Sequence, residues 1–235
     1  MKHHLIAAAI LGLSAGAAHA VTFSGTAEGS WVDPIGNVGF TIANNDASGT
    51  ADVDWGTPVD TDFNNLWSFD GVGSDGGPGW TAEAGNLFKV GDFTYRNGSV
   101  TNHDFDGASL AVTLFIVSPL NVTEAFSFAF DVINTPNTSG DPVTDGDIAS
   151  IANTFTSATF MYDGLNYTLE LLGFSQDGGT TLTTGFNSPE GSTSVAALYG
   201  RIVEPNVVPV PASLPLLLAA LGGLGLVRRA RRRAA

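Results

Sequence analysis

Cysteine is absent from the chain, and histidine is almost absent from its central part. Without cysteine there are no disulfides, no thiolate metal ligands and no cysteine nucleophile. Between residues 21 and 207 the only histidine is His103, which excludes a zinc site with two histidines from one chain. A Ser-His-Asp mechanism would have to use His103, and this segment contains no G-x-S-x-G pattern of a nucleophile elbow. The fold must therefore depend on a hydrophobic core.

Basic residues are also scarce. Lys89, Arg96 and Arg201 are the only ones between residues 21 and 207, whereas all 23 acidic residues lie there, which gives this segment a net charge of −20. Such a surface repels nucleic acid, whose binding needs basic patches. It keeps a protein soluble and attracts cations. We therefore predict no nucleic-acid partner.

No stretch of this segment has a sustained helical period. Large apolar residues instead alternate with polar or small ones in Phe126 to Val132 and in Tyr167 to Leu171, as they do in strands with one buried face. Leu110 to Val117 is apolar on both faces, which is typical of a central strand. Many short strands separated by turns predict an all-β fold, a single β-sandwich or jelly-roll-like domain over residues 21–207. Phe128 and Leu114 are expected in its core.

Two glycine-containing segments predict connections between strands. Asp163-Gly164 lies between two apolar-patterned runs and predicts a tight hairpin turn. The segment from Gly71 to Gly79 has five glycines in nine residues, which favours a flexible loop. A phosphate-binding role does not fit this loop, because no lysine follows in register and no helix pattern surrounds it.

Both ends of the chain carry targeting patterns. Lys2, the apolar run from Leu5 to Ala17 and the small residues Ala18 and Ala20 predict a secretory signal peptide over residues 1–20. At the other end, the apolar segment 212–227 precedes an arginine cluster at 228–233, formed by Arg228, Arg229, Arg231, Arg232 and Arg233. These arginines should stay cytoplasmic as a stop to transfer. The 16 apolar residues span only about 24 Å as a helix, short for a permanent anchor across ~30 Å of hydrocarbon.

The C-terminal tail, residues 208–235, therefore has two interpretations. One is a simple membrane anchor with an apolar transmembrane helix. The other follows from the motif Val208, Pro209, Val210, Pro211 and Ala212, which with the apolar run and arginines resembles the VPLPA variant of the PEP-CTERM sorting signal of Gram-negative bacteria. Valine stands at 210, where that family more often has leucine. The resemblance implies that an exosortase cleaves the tail after export by the Sec machinery, so that membrane anchoring is transient.

A second resemblance covers most of the central segment. Several landmarks in order resemble the choice-of-anchor K domain, a bacterial surface domain. They are Trp55-Gly56-Thr57-Pro58, Val90 to Gly98, Ile133 to Asn137, Tyr167 to Phe174, and Ala197 to Ile202. The resemblance implies an exported, β-rich domain located at the outer envelope, the cell surface or the extracellular matrix. It carries no established catalytic residues, and we assign none.

Two sets of residues could bind a ligand. Asp141, Asp145 and Asp147 beside Gly146 form an oxygen-rich cluster suited to Ca²⁺, although Asp and Gly also simply make turns. Trp31, Trp55, Trp67 and Trp80 could form an aromatic platform for sugar rings, although large aromatics are usually core residues.

These features leave three hypotheses of function. The first is a non-enzymatic, exosortase-sorted envelope or matrix protein with a structural or adhesive role, without a cofactor. The second is a carbohydrate-binding module for matrix polysaccharide, with or without calcium. The third is a glycoside hydrolase that uses two carboxylates, a residue type too common in this acidic chain to count as a signal. An exposed tryptophan row would favour the second, and a cleft with two facing carboxylates the third.

Overall fold

The computed structural model describes residues 20–44, 50–59 and 61–204. These residues form fifteen strands and no helix: β1 (Thr22–Ile35), β2 (Phe40–Asn44), β3 (Thr50–Trp55), β4 (Thr57–Pro58), β5 (Asn65–Gly71), β6 (Trp80–Glu83), β7 (Phe88–Asn97), β8 (Val100–Thr101), β9 (Gly107–Ser118), β10 (Val122–Ile133), β11 (Asp147–Ile151), β12 (Phe160–Tyr162), β13 (Leu165–Ser175), β14 (Gly185–Ser188) and β15 (Ser192–Val203). The all-β prediction is confirmed.

The strands form two large antiparallel sheets. The six-stranded sheet has the order β14-β11-β10-β9-β1-β6, and the seven-stranded sheet has the order β12-β13-β15-β7-β5-β3-β2. A two-stranded ribbon pairs β4 with β8. The two large sheets are curled, and their arrangement is consistent with a β-sandwich.

The core lies between the two sheets and is rich in aromatic rings. Trp31 of the six-stranded sheet packs against Trp67 of the seven-stranded one, with ring centroids 5.5 Å apart. Phe93 on β7 stacks on Phe130 of β10 at 5.6 Å. Such contacts across the interior explain how the chain forms a core without disulfides, because aromatic side chains bury a large apolar area each.

The strand patterns place the expected residues in this core. Phe128 and Leu114 are both fully buried, as predicted. The strand predicted as central, β9, lies between β10 and β1. From Ala108 to Ile116 its buried residues alternate with partly buried ones, and Val117 near its end is 64% exposed. The apolar outer face of β9 therefore reflects β propensity as much as burial.

The hairpin predicted at Asp163-Gly164 is present. Tyr162 pairs with Leu165, so two residues connect β12 to β13. Both turn residues have positive φ, 50° at Asp163 and 78° at Gly164, as a type I′ turn requires. Sequence reasoning succeeds here because the turn is specified by local backbone chemistry alone.

Within the described residues, no helix has the length and hydropathy that crossing a bilayer would require. The predicted sorting motif, the apolar segment 212–227, the arginine cluster and Ala18 lie outside the described residues. Ala20, the other predicted cleavage-site residue, is the first residue described and is exposed.

Candidate functional site

A cleft of about 760 Å³ lies at one end of the seven-stranded sheet, on its outer face. Its lining comes from β5, β7 and β15, from the start of β6, from the connection between β5 and β6, and from Leu87 and Gly178. Its charged and aromatic lining residues include Asp70, Asp75, Trp80, Lys89, Asp92 and Tyr199. We call this feature the glycine-loop cleft, because residues 71–79 form one of its sides.

A β-bulge in β7 brings the charged groups of the cleft onto one face. Leu198 pairs with Gly91 and Tyr199 pairs with Lys89, so Val90 is an extra residue on β7. The extra residue shifts the alternation, and Lys89 and Asp92 both face outward although they are three positions apart. The Lys89 ammonium then lies 2.6 Å from Asp92 Oδ2.

A second carboxylate stands beside this ion pair. Asp70 on β5 is the direct cross-strand partner of Asp92 on β7. Like charges directly opposite each other are destabilising, and Lys89 offsets this repulsion. Asp70 Oδ1 also accepts a hydrogen bond from the Ser74 hydroxyl at 3.0 Å. Oxygen acceptors and one cationic donor are therefore presented side by side.

Aromatic rings form the apolar part of the cleft. Trp80 stacks on Phe88 with centroids 4.5 Å apart, and both are almost fully buried. Tyr199 on β15 is only partly buried and is the cross-strand partner of Lys89 on β7. The indole Nε1 of Trp80 is buried and has no hydrogen-bond partner among the described residues. Because this N–H is buried, it is closed to a ligand, and the Trp80–Phe88 stack contributes only apolar support to the wall of the cleft.

The glycine-rich connection is fixed at both of its ends. A Cβ on Gly71 would lie 2.0 Å from the Ala27 carbonyl oxygen, and one on Gly79 would lie 2.1 Å from that of Gly25. Only glycine permits this close approach to β1. The start of the connection is also hydrogen-bonded, because Ala27 N–H donates to Val72 O at 2.9 Å and Val72 N–H donates to Val90 O at 3.0 Å.

The predicted tryptophan platform is wrong. Trp31, Trp55, Trp67 and Trp80 are between 0% and 4% exposed, so no indole face is open for a sugar ring to cover. Trp31, Trp55 and Trp67 belong to the central aromatic cluster. The physical reason is their large apolar area, which stabilises the fold most when it is removed from water. Trp80 alone of the four lies at the wall of the glycine-loop cleft.

The predicted Ca²⁺ ligands form hydrogen bonds within their own loop. Asp145 accepts backbone N–H groups of Ser139 at 3.0 Å and Gly140 at 2.9 Å, and these bonds lower the pKa of its carboxyl. Asp141 accepts the N–H of Val143 at 2.8 Å. In the described ranges, no group of three or more acidic or histidine side chains is arranged to hold a metal ion. The turn-forming interpretation accounts for these contacts.

Asp147 has a different environment. It accepts the Thr135 N–H at 2.8 Å and the Tyr95 hydroxyl at 3.2 Å. Burial raises the pKa of the Asp147 carboxyl, and these hydrogen bonds oppose the rise. Burial also raises the pKa of Tyr95 well above its usual value, and Asp147 adds to that effect. The pair links β7 to the start of β11, which is a structural role.

His103 is not arranged as a catalytic base. Its Nδ1 is buried and has no hydrogen-bond partner among the described residues. The neighbouring Asp104 accepts the backbone N–H groups of Asn37 at 2.7 Å and Val38 at 2.8 Å, and these bonds lower its pKa. Asp104 therefore fixes the connection after β1 and does not orient an imidazole.

Sequence reasoning missed the polar residues of the cleft. The glycine-rich connection was visible in the sequence, but Asp70, Lys89, Asp92 and Tyr199 meet only through strand pairing and the bulge in β7. A hint was present in Lys89 and Asp92, since two outward charges three apart break a strict alternation of period two.

Comparison of the sequence with models of protein families gave no match, and comparison with curated proteins gave none either.

Proposed function

We propose that the chain is an exported, non-enzymatic protein of the bacterial outer envelope, cell surface or extracellular matrix, with a structural or adhesive role. In this proposal residues 21–207 form one jelly-roll-like domain of the choice-of-anchor K type. The tail from residue 208 is a PEP-CTERM-type signal that holds the chain transiently at the inner membrane until an exosortase cleaves it. The observation that carries the proposal is the pairing of an N-terminal export pattern with a tripartite C-terminal tail.

The charge distribution of the folded part supports a role without nucleic acid. All three basic residues between positions 21 and 207 lie on the outer face of the seven-stranded sheet, and each has an acidic partner. Lys89 pairs with Asp92, Arg96 with Asp54 at 3.4 Å, and Arg201 with Glu170 at 2.5 Å. No cation of the described residues therefore remains to form the basic patch that a phosphate backbone needs.

Mass spectrometry of the mature protein from its native host tests the proposal. We expect peptides that begin at Val21 and an absence of peptides that continue from Leu216 to Val227, because both signals would have been removed. Recovery of the apolar segment in most molecules would contradict processing and would favour a permanent anchor.

A carbohydrate-binding role is the second candidate, and the glycine-loop cleft is the observation that favours it. The glycoside-hydrolase alternative has less support. Asp70 and Asp92 project from neighbouring strands of one sheet face, whereas hydrolysis needs two carboxylates that flank the scissile bond. Asp92 is also paired with Lys89, and Asp75 accepts the Gly77 N–H at 3.0 Å.

A further inference from the structure

We propose that the glycine-loop cleft binds an oligosaccharide without acidic groups, built from neutral hexoses or from hexoses that carry an amino group. The proposal deepens the carbohydrate-binding role given above, because it names the site and the class of sugar. It replaces the tryptophan platform by a site in which Tyr199, Asp70, Asp92 and Lys89 contact the ligand.

The size and lining of the cleft suit an oligosaccharide. Its volume of about 760 Å³ lies within the ~300–1,000 Å³ that is usual for ligand sites. Tyr199 and the 40%-exposed Leu87 provide apolar surface, and the Trp80–Phe88 stack supports the wall behind them. A pyranose ring has apolar C–H faces, and an aromatic side chain with a polar tip matches this mixture of apolar and polar surface.

The polar groups match the edges of such a ring. Sugar hydroxyls are both donors and acceptors of hydrogen bonds. The Asp70 and Asp92 carboxylates accept from hydroxyls, and the Lys89 ammonium donates to them. Because these groups project side by side from β5 and β7, they can contact adjacent hydroxyls of one ring.

Charge decides between classes of sugar. The cleft has three carboxylates, those of Asp70, Asp75 and Asp92, against the single ammonium of Lys89. The segment around it has a net charge of −20. The carboxylates of the cleft and the net negative charge of the segment both repel uronic acids, sulfated sugars and phosphorylated sugars. Neutral sugars are not repelled, and a sugar with a protonated amino group is attracted by the same negative charge.

Calorimetry with the full chain and three probes tests the proposal. The probes are a cello-oligosaccharide, which is neutral, a deacetylated chito-oligosaccharide, which is cationic, and an oligogalacturonate, which is anionic. We expect saturable one-to-one binding of one or both of the first two and none of the third. Release of new reducing ends from either probe would overturn the non-enzymatic part of the proposal.

Two substitutions in the cleft and two matched controls locate the site. Tyr199→Ala and Asp70→Asn should each weaken binding about tenfold or more, since each removes a contact worth roughly one power of ten. Val195→Ala changes an exposed residue of the same strand, and Asp131→Asn removes the same charge from β10 of the other sheet. Both controls should bind as the unchanged protein does.

The contradicting outcomes are specific. The proposal fails if neither the neutral nor the cationic probe binds, if oligogalacturonate binds as tightly as they do, or if Tyr199→Ala and Asp70→Asn leave binding unchanged. Asp70→Asn is nearly isosteric on an exposed position, so it reports on the site even if Tyr199→Ala fails to fold. Failure of binding would leave the processing of both chain ends untouched, because mass spectrometry measures that separately.

Discussion

Individual aromatic side chains bear much of the stability of this fold, and Phe128 is a direct case. It is fully buried on β10. We expect Phe128→Asp to unfold the protein, because a buried unpaired carboxylate costs several kcal/mol against a total stability of ~5–15 kcal/mol. Thermal melting followed by circular dichroism measures this. Val117→Asp places the same charge at a position on β9 that is 64% exposed, and it should melt close to the unchanged protein. Similar melting of both variants would contradict the burial of Phe128.

A single exposed carboxylate should contribute to the pH dependence of stability. The backbone N–H of Thr181 and the hydroxyl of Ser175 donate to Asp177 and lower its pKa to about 2. Because its folded pKa lies below its usual value of 3.8, its ionised form stabilises the fold above pH ~3.8. That contribution is lost as the pH falls from 3.8 towards 2.

Melting at pH 6 and at pH 2.5 checks this prediction. Asp177→Asn should lower the melting temperature at pH 6, and its difference from the unchanged protein should shrink at pH 2.5. Val195 is exposed and has no titratable group, so Val195→Ala should shift the melting temperature by the same amount at pH 6 and at pH 2.5. A difference for Asp177→Asn that persists at pH 2.5 would show that the charge is not the cause.

At the scale of the strand and the turn, the hairpin between β12 and β13 gives a prediction about backbone conformation alone. Gly164 has a φ of 78°, and no atom lies within 4 Å of the place where a Cβ would be. Gly164→Ala should therefore cost only the strain of the left-handed region, about 1 kcal/mol. Gly71→Ala should cost more, because its Cβ would collide with the Ala27 carbonyl oxygen at 2.0 Å. Denaturant unfolding measures both, and equal losses would contradict this reasoning.

Elements that depend on neighbouring residues were predictable, and those that depend on distant pairing were not. The alternation in β10 and the Asp163-Gly164 turn are local signals, and both features are present. Tyr167 to Leu171 do form part of β13, but the predicted single buried face is wrong there, because Thr168 and Glu170 are buried as well. The order of strands, by contrast, places β7 between β5 and β15, which are distant from each other in the sequence. The bulge at Val90 follows from this pairing, and with it the meeting of Lys89 and Asp92. The candidate site was therefore hidden, although its glycine-rich side was visible.

Tryptophan shows a second limit of sequence reasoning. Both the platform and the core are consistent with four tryptophans in the first half of the segment, because composition does not say which face of a strand is buried. The ring centroids of Trp31 and Trp67 lie 5.5 Å apart across the interior, so these two tryptophans are core residues. Tyr199, the aromatic residue that is open to a ligand, lies on the alternate face of β15 from the buried Leu198.

At the scale of the whole molecule, the acidity of the chain and its apolar core lead to a final prediction. Residues 21–207 should melt cooperatively and equally with and without a chelator, because apolar contacts between the two sheets hold them together.

Divalent cations should gather only in the diffuse field of the −20 charge, which physiological salt screens over ~8 Å. A true calcium site instead needs 6–8 oxygens at ~2.4 Å, whereas Asp141, Asp145 and Asp147 already accept backbone N–H groups. Calorimetric titration with Ca²⁺ at physiological salt should therefore show no saturable binding isotherm. One-to-one binding tighter than about 10⁻⁴ M, abolished by Asp141→Asn or by Asp145→Ala combined with Asp147→Ala, would establish a calcium site in this loop.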